Sequence, residues 1–518
     1  MINWLQMSCL FVFFSLFCST YSSADSYVVT LSEDLGGTPR TGRLILFVVN
    51  KQGWRWDRTD PMDGPFYEDP QPIASMAVRD FKPGDQIELS HNVVSVPVPL
   101  DQLDGVLRVQ AVLDVDHRVR SHSEGEGNVY SRPQKWTVSR SADDKINIVL
   151  DQVVEVSEAP QFPNVRYIEL PSPLLSAHAG FPVNHRAAVV LPVGYEASEN
   201  EQHKWGAVYM IPGFGGRLEG VRRLARQQSR TENSLPVVYV LLDPDAPLSH
   251  HGFADSPANG PRATALVQEL IPHLEANFRL ADKPEGRLLT GHSSGGWAAL
   301  WLQLNHPDVF GGTWSTAPDP IDFSAFGMVD LYQEDNIFVD KTGKARPVYR
   351  TDSDEVAMTI KQETDMEWAM DPSGGSGQQW DTWESMFSPL DPTTQKPLPL
   401  FDQSTGKIDH EVVANWSNYD ITRLVEKQWP ALQPVVLNRV HLICGDKDSF
   451  YLERAVERFS EMVQSKAPES SGTGYIVMLP GADHGQAAGL SARRIRTEIH
   501  QHLKQSKLLP NHSSTSNP

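Results

Sequence analysis

The chain has 518 residues, 40% hydrophobic and 21% charged, an ordinary globular balance with length enough for more than one core. Its formal net charge of −20 repels phosphate backbones and excludes nucleic acid as an expected partner.

Residues 1–24 read as a secretory signal. "CLFVFFSLFC" supplies an apolar core of about ten residues, and "SSA" ending at Ala24 offers small residues for cleavage. No Lys or Arg precedes the run, so an N-terminal membrane anchor is the alternative reading. The run falls short of the about 20 apolar residues of a spanning helix. Phe17 ahead of Cys18 does not suit lipoprotein cleavage. Removal of the segment predicts a secreted or periplasmic chain with no stable membrane insertion. It also leaves Cys444 as the remaining cysteine, without an internal disulfide. Cys444 closes the apolar run "RVHLIC" and reads as a buried small side chain.

Residues 25–155 read as β throughout. "GRLILFVV", "DQIELS", "GVLRVQAVLDV", "QKWTVS" and "KINIVLDQV" are short β-branched runs, separated by turn residues such as "KPGD" and "SADD". The expectation is a small antiparallel all-β sandwich. A linker follows at 156–165.

The pattern then changes. "VRYIEL" and "RAAVVLP" are two early strands. "WGAVYMI", "PVVYVLL", "GRLLTG", "GGTWST", "RVHLICG" and "GYIVMLP" are near-continuous apolar runs, as expected for strands buried on both faces. Helical segments such as "RATALVQELIPHLEANFRL" and "GGWAALWLQLNH" lie between them. Residues 166–505 therefore read as an α/β domain with a doubly wound, mostly parallel sheet. A lid or substrate-facing insertion is expected at about 319–435, because ordinary connections are far shorter. Residues 506–518 read as a disordered tail.

Within "RLLTGHSSGGWAALWL", Ser293 sits in Gly291-His292-Ser293-Ser294-Gly295. A serine hydroxyl is a poor nucleophile until a base takes its proton. The G-x-S-x-G elbow places that hydroxyl on a sharp strand-to-helix turn. Here "RLLT" precedes as a strand and an amphipathic helix follows; a purely structural turn is the alternative. The same turn aims the Ser294 backbone N–H at a developing oxyanion. The elbow needs an acid and then a histidine, in that chain order. "VHLICGDKDSFYL" offers Asp448, with Asp446 as competitor, and "YIVMLPGADHGQ" offers His484. The Gly-rich turn in "VYMIPGFGGR" offers a second oxyanion donor, the Phe214 N–H, with Gly215 as alternative.

The phrases "IPGFGG", "GHSSGGWAAL", "CGDKD" and "DHG", with "LIPHLEANFR" ahead of the elbow strand, resemble the putative esterase family of the α/β-hydrolase fold. That family includes feruloyl and acetyl-xylan esterases, esterase D-type thioesterases, siderophore esterases and mycolyltransferases. The resemblance covers roughly Val165 to Lys504. It implies Ser293 as nucleophile, His484 as base, an acidic partner matching Asp448, and no cofactor. The expected reaction is hydrolysis of a small-molecule or polysaccharide-linked carboxylic ester, or acyl transfer where an alcohol replaces water. The β-rich front domain and the Trp-bearing insertion set this chain apart from the short members. A serine peptidase of the prolyl-oligopeptidase type shares the elbow, but its propeller is much larger than the front region here. A non-catalytic carbohydrate-binding scaffold is the third reading.

Weaker signals flank the motif. "DPDAPLSHHGFADS" holds His250 and His251, whose adjacent side chains should diverge, so no metal site is expected. Asp255 and Ser256 in the same stretch are candidates for shaping a substrate loop. Trp380, Trp383 and Trp416 suit either a lid core or stacking on a substrate, and Trp383 is the substrate-loop candidate among them.

Overall fold

The computed structural model describes residues 26–64, 69–90, 93–116, 120–138, 145–155, 159–230, 234–469 and 471–510. The expected signal segment, the "SADD" turn, residues 156–158 of the expected linker and 511–518 of the expected tail lie outside the described residues.

Eight strands form the central sheet: β1 (Val165–Pro171), β2 (Asn184–Val190), β3 (Ala207–Ile211), β4 (Val238–Leu242), β5 (Arg287–His292), β6 (Gly312–Thr316), β7 (Val440–Gly445) and β8 (Tyr475–Leu479). Their order is β1-β2-β4-β3-β5-β6-β7-β8. β1 and β2 run antiparallel to their neighbours, and every pairing from β4 to β8 is parallel. All residues of β4, β6 and β7 are buried, because helices cover both faces. Val165 already belongs to β1, so the linker ends one residue earlier than expected.

Helix α1 (Ser294–Asn305) follows β5 directly and is buried along nearly its whole length. A helix apolar all round must be enclosed. On one side it lies against β5 and β6, and on the other it stacks Trp297 on Trp301 beneath the insertion.

The insertion carries a hairpin (Pro347–Arg350 with Val356–Thr359), helix α2 (Ile360–Met370) and helix α3 (Gln379–Phe387). Thr359 caps α2 in a reciprocal pair with Gln362. The insertion's last helix, Trp429–Arg439, runs past the expected boundary near 435 and feeds straight into β7.

The front residues form two sheets around one apolar cluster that includes Tyr27, Val29, Leu44, Leu46 and Val109. One departure from an all-antiparallel arrangement is that Ser26–Leu31 pairs parallel with Lys145–Leu150. The two strands are far apart in sequence, so the long crossover a parallel pair needs is available. Strand Arg40–Val49 explains its own continuous apolar run. Leu44, Leu46 and Val48 face the front cluster, while Ile45 and Phe47 pack on Met358, Met366 and Met370 of the insertion. Full burial of such side chains stabilises by about 1.5–3 kcal/mol each. Ser75 Oγ donates to the Met370 carbonyl at 2.9 Å, and Arg43 pairs with Asp371 at 2.9 Å along the same seam.

At the other end, helix α4 (His484–Gln505) covers the sheet, and the Trp314 indole of β6 donates to Glu498 at 2.9 Å. The expected tail does not begin at 506. Leu508 is buried in the core beneath α4, and its N–H donates to the Leu503 carbonyl at 2.8 Å. Among the described residues, no helix is long and apolar enough to cross a membrane.

Candidate active site

The carboxyl ends of β3, β5, β6, β7 and β8 converge on one cavity of about 390 Å³. Parallel α/β sheets place their chemistry at this edge. Ser293, His484, Asp319, Phe214 and Trp383 all line it.

Ser293 occupies the turn between β5 and α1 with φ 58° and ψ −128°, a conformation an L-residue adopts at a cost. Packing enforces it. A Cβ on Gly291 would lie 2.0 Å from the Gly295 carbonyl oxygen, and one on Gly295 would lie 2.1 Å from the Ile211 carbonyl oxygen. Gly291→Ala is therefore expected to destabilise the protein by roughly 3–5 kcal/mol, the upper range for point changes. Loss of the cooperative thermal transition, or a drop of many degrees in its midpoint, is the readout; an unchanged Tm would contradict the packing argument.

Asp448 leaves the end of β7 fully buried. Its Oδ1 accepts from the Phe450 N–H at 2.9 Å, and its Oδ2 lies 2.7 Å from His484 Nδ1. Asp446 faces elsewhere: it is exposed and accepts from the Gly481 N–H at 2.6 Å. Arg350 of the insertion donates through Nε to the Asp448 carbonyl at 3.0 Å and pairs with Glu453 at 2.9 Å. The insertion thus braces the acid loop. His484 begins α4, behind the N-cap Asp483, and the Phe450 ring meets its imidazole edge-on at 5.1 Å.

Burial works to lower the His484 imidazole, but the Asp448 carboxylate, its hydrogen bond and the nearby Asp319 more than offset this and hold it above the usual histidine value. The His292 ring lies tilted against His484, with centroids 4.4 Å apart. Burial and the His484 charge push His292 down to about 4, so it stays neutral beside its neighbour at physiological pH.

Ser294 opens α1, where the backbone N–H groups of the first turn have no partner within the helix. Phe214 sits second in a turn closed by the Gly216 N–H on the Gly213 carbonyl at 2.9 Å. Arg120 of the front region stacks over the Phe214 ring at 4.7 Å.

Two candidates fall outside the cavity. Asp255 accepts from the Ala263 N–H at 2.7 Å and the Thr264 N–H at 3.1 Å. It therefore satisfies a helix start, as short carboxylates do. Ser256 is buried and donates to the Ser385 carbonyl at 2.9 Å. Neither lines the cavity; Ser256 fastens α3, the helix that carries Trp383, from outside. Trp383 does line it, as does Trp380, while Trp416 is wholly buried in the insertion core. His250 and His251 diverge. His250 Nε2 donates to the Pro212 carbonyl at 2.9 Å, and the His251 ring meets Phe253 edge-on. Burial pushes His250 down to about 4. Among the described residues, no group of three or more His, Cys, Asp or Glu could hold a metal ion.

A carboxylate beside Ser293 went unanticipated. Asp319, just past β6, is 5% exposed and receives three hydrogen bonds: from Ser293 Oγ at 3.3 Å, Ser294 Oγ at 2.7 Å and Trp383 Nε1 at 2.9 Å. "STAPDP" carries a usable signal, a carboxylate at the carboxyl end of a central strand. Since the Asp319 charge helps hold His484 up, Asp319→Asn is expected to lower the imidazole pKa. Activity that needs neutral His484 is lost as pH falls through that pKa. The acid limb of the kcat/KM profile should therefore move to lower pH in Asp319→Asn. A limb that stays in place or moves up would contradict the assigned field.

The parallel sheet, the strained serine elbow and the convergent strand ends define an α/β-hydrolase. The chain belongs to the putative esterase family, which it matches over residues 181–471, more than half its length. The match stops short of His484. The iron(III) enterobactin esterase of Escherichia coli K12 is 36% identical over 76 residues, 15% of this chain. That stretch spans 18% of the relative's own length. Among solved structures, an S-formylglutathione hydrolase from Agrobacterium tumefaciens aligns with 68% of this chain and 99% of its own, at 16% identity and TM-score 0.38. A ferulic acid esterase from Anaeromyces mucronatus aligns with 66% of this chain and 92% of its own, at 17% identity and TM-score 0.33.

Proposed function

We propose that this protein is a serine hydrolase of carboxylic esters, with Ser293 as nucleophile, His484 as base and Asp448 as its orienting acid. The observation that carries this reading is the 2.7 Å contact of His484 Nδ1 with buried Asp448, on the cavity that Ser293 also lines. His484 takes the Ser293 proton as the hydroxyl attacks the ester carbonyl. Asp448 fixes the imidazole tautomer and stabilises the imidazolium. The Phe214 and Ser294 N–H groups stabilise the tetrahedral oxyanion; loss of one such donor typically costs about 10²–10³ in rate. His484 returns the proton to the leaving alcohol, and water then releases the acid. No cofactor enters these steps.

The same reading takes residues 1–24 as an export signal, 25–155 as a β-sandwich domain and the mature chain as secreted or periplasmic. Two layered sheets, rather than propeller blades, at the front favour the esterase over a prolyl-oligopeptidase-type peptidase.

A fluorophosphonate probe tests the nucleophile. Stoichiometric labelling, mapped by mass spectrometry to the peptide containing Ser293 and blocking turnover of p-nitrophenyl butyrate, is the expected result. Turnover that survives the probe, or label on another serine, would overturn it.

A further inference from the structure

The cavity holds a second feature that ester cleavage alone does not use. Its far wall is built by the insertion. Trp383 donates to Asp319, Trp380 packs edge-on against Trp383 at 4.9 Å, and Trp380 Nε1 donates to Glu363 Oε2 at 2.8 Å. Glu363 is therefore two indoles away from the serine. It is 1% exposed and lines the cavity.

The charge there is one-sided. Asp319 and Glu363 both line the cavity, and among the described residues no Lys or Arg does. Behind Glu363 lie Glu367, Asp381 and Glu384, all buried. Among the described residues, none of these five carboxyls forms an ion pair with a basic side chain. Burial without a counter-charge pushes Glu363 up to about 7. The remaining walls are apolar and aromatic, with Phe326, Trp380, Trp383 and Phe450 facing in. Gln379 also lines the cavity, and its Nε2 is buried with no acceptor among the described residues.

Aromatic faces attract cations, and a carboxylate in a low-dielectric wall does so more strongly. The kind of cation follows from counting acceptors. A primary ammonium brings three donors that each need an oxygen. Here the two lining carboxylates, Glu363 and Asp319, already accept four hydrogen bonds, from Trp380, Ser293, Ser294 and Trp383, and the aromatic walls add no oxygen. A quaternary ammonium brings no donors and suits apolar walls, while an oxygen elsewhere on the same molecule would satisfy Gln379.

We propose that this cavity selects esters bearing a quaternary ammonium on the part that enters it, with Glu363 as counter-ion and the two indoles as its cage. This inference rests on the serine esterase reading above, and its test separates the two.

Two substrate pairs, each differing in one atom and one charge, cover both sides of the ester: butyrylcholine against 3,3-dimethylbutyl butyrate, and p-nitrophenyl 4-(trimethylammonio)butanoate against p-nitrophenyl 5,5-dimethylhexanoate. In at least one pair the charged member is expected to have kcat/KM about tenfold or more above its neutral isostere, and Glu363→Gln should cut that ratio by about tenfold. Calorimetric titration with tetramethylammonium chloride, against sodium chloride, reads the same cage without turnover and should show binding that weakens about tenfold in Glu363→Gln. Neutral isosteres cleaved as well as or better than the charged esters in both pairs would overturn the inference and leave the esterase standing. An unchanged ratio in Glu363→Gln would also overturn it. If no ester is turned over, the serine esterase reading fails, and tetramethylammonium that binds equally to both proteins, or to neither, would remove the cage as well.

Discussion

Ser293→Ala is expected to lower kcat for p-nitrophenyl butyrate by on the order of 10⁵–10⁶, with KM changed by no more than a few fold. The size follows from what the hydroxyl does. Without it no acyl-enzyme can form, and the proposed oxyanion donors, the Phe214 and Ser294 N–H groups, are left to act on a water attack for which the site is not built. The methyl group fits the space of the hydroxymethyl, so the elbow keeps its shape. The one hydrogen bond lost is small beside this: the Ser293 hydroxyl donates to Asp319 Oδ1 at 3.3 Å, while Asp319 Oδ2 keeps its bonds from Ser294 and Trp383. Circular dichroism and thermal unfolding should therefore match wild type. A variant retaining more than about one per cent of kcat would remove Ser293 as nucleophile, because no general-base route through the remaining groups approaches covalent catalysis at this scale.

The central sheet was readable because strands enclosed on both faces leave continuous apolar runs, and helices between them leave a different period. The elbow was readable because its glycines answer a local clash that sequence context alone predicts. What lay hidden is tertiary. Strand Arg40–Val49 announces itself as apolar on both faces, yet nothing nearby says that Met366 and Met370, over three hundred residues on, cover the second face. Asp255 shows the opposite failure. A carboxylate ahead of a helix beside the site reads equally as a substrate contact or as a helix-start acceptor, and only the 2.7 Å bond from the Ala263 N–H decides. Asp319 and Glu363 stayed hidden for a related reason. A carboxylate in a Pro-rich turn or on a helix normally faces water, and its burial here depends on the insertion folding back over the sheet edge.

Asp448, the proposed orienting acid, yields the second large effect, through a comparison of neighbours. Asp448→Asn is expected to lower kcat by about 10⁴ near neutral pH, while Asp446→Asn loses less than about threefold. The two side chains leave the same strand end two residues apart and have different tasks. Asp448 has no contact with solvent and meets the imidazole Nδ1 at 2.7 Å. An asparagine there can still accept from the Phe450 N–H, so the loop survives. Its amide nitrogen, however, would face His484 as a donor and favour the tautomer with the proton on Nε2, which cannot accept from Ser293. The positive charge formed during attack would lose its partner as well, and the His484 pKa, held up in part by that carboxylate, would fall. Asp446 is exposed and holds the Gly481 N–H, a turn bond whose neutral replacement costs about 0.5–1.5 kcal/mol of local stability and no catalytic charge. The pH profile separates orientation from charge. If Asp448 acts through the tautomer, activity in Asp448→Asn stays low across the alkaline range, where the imidazole is neutral in any case. A full recovery of kcat at high pH would reduce Asp448 to a purely electrostatic part, and equal small losses at both positions would remove it from the mechanism.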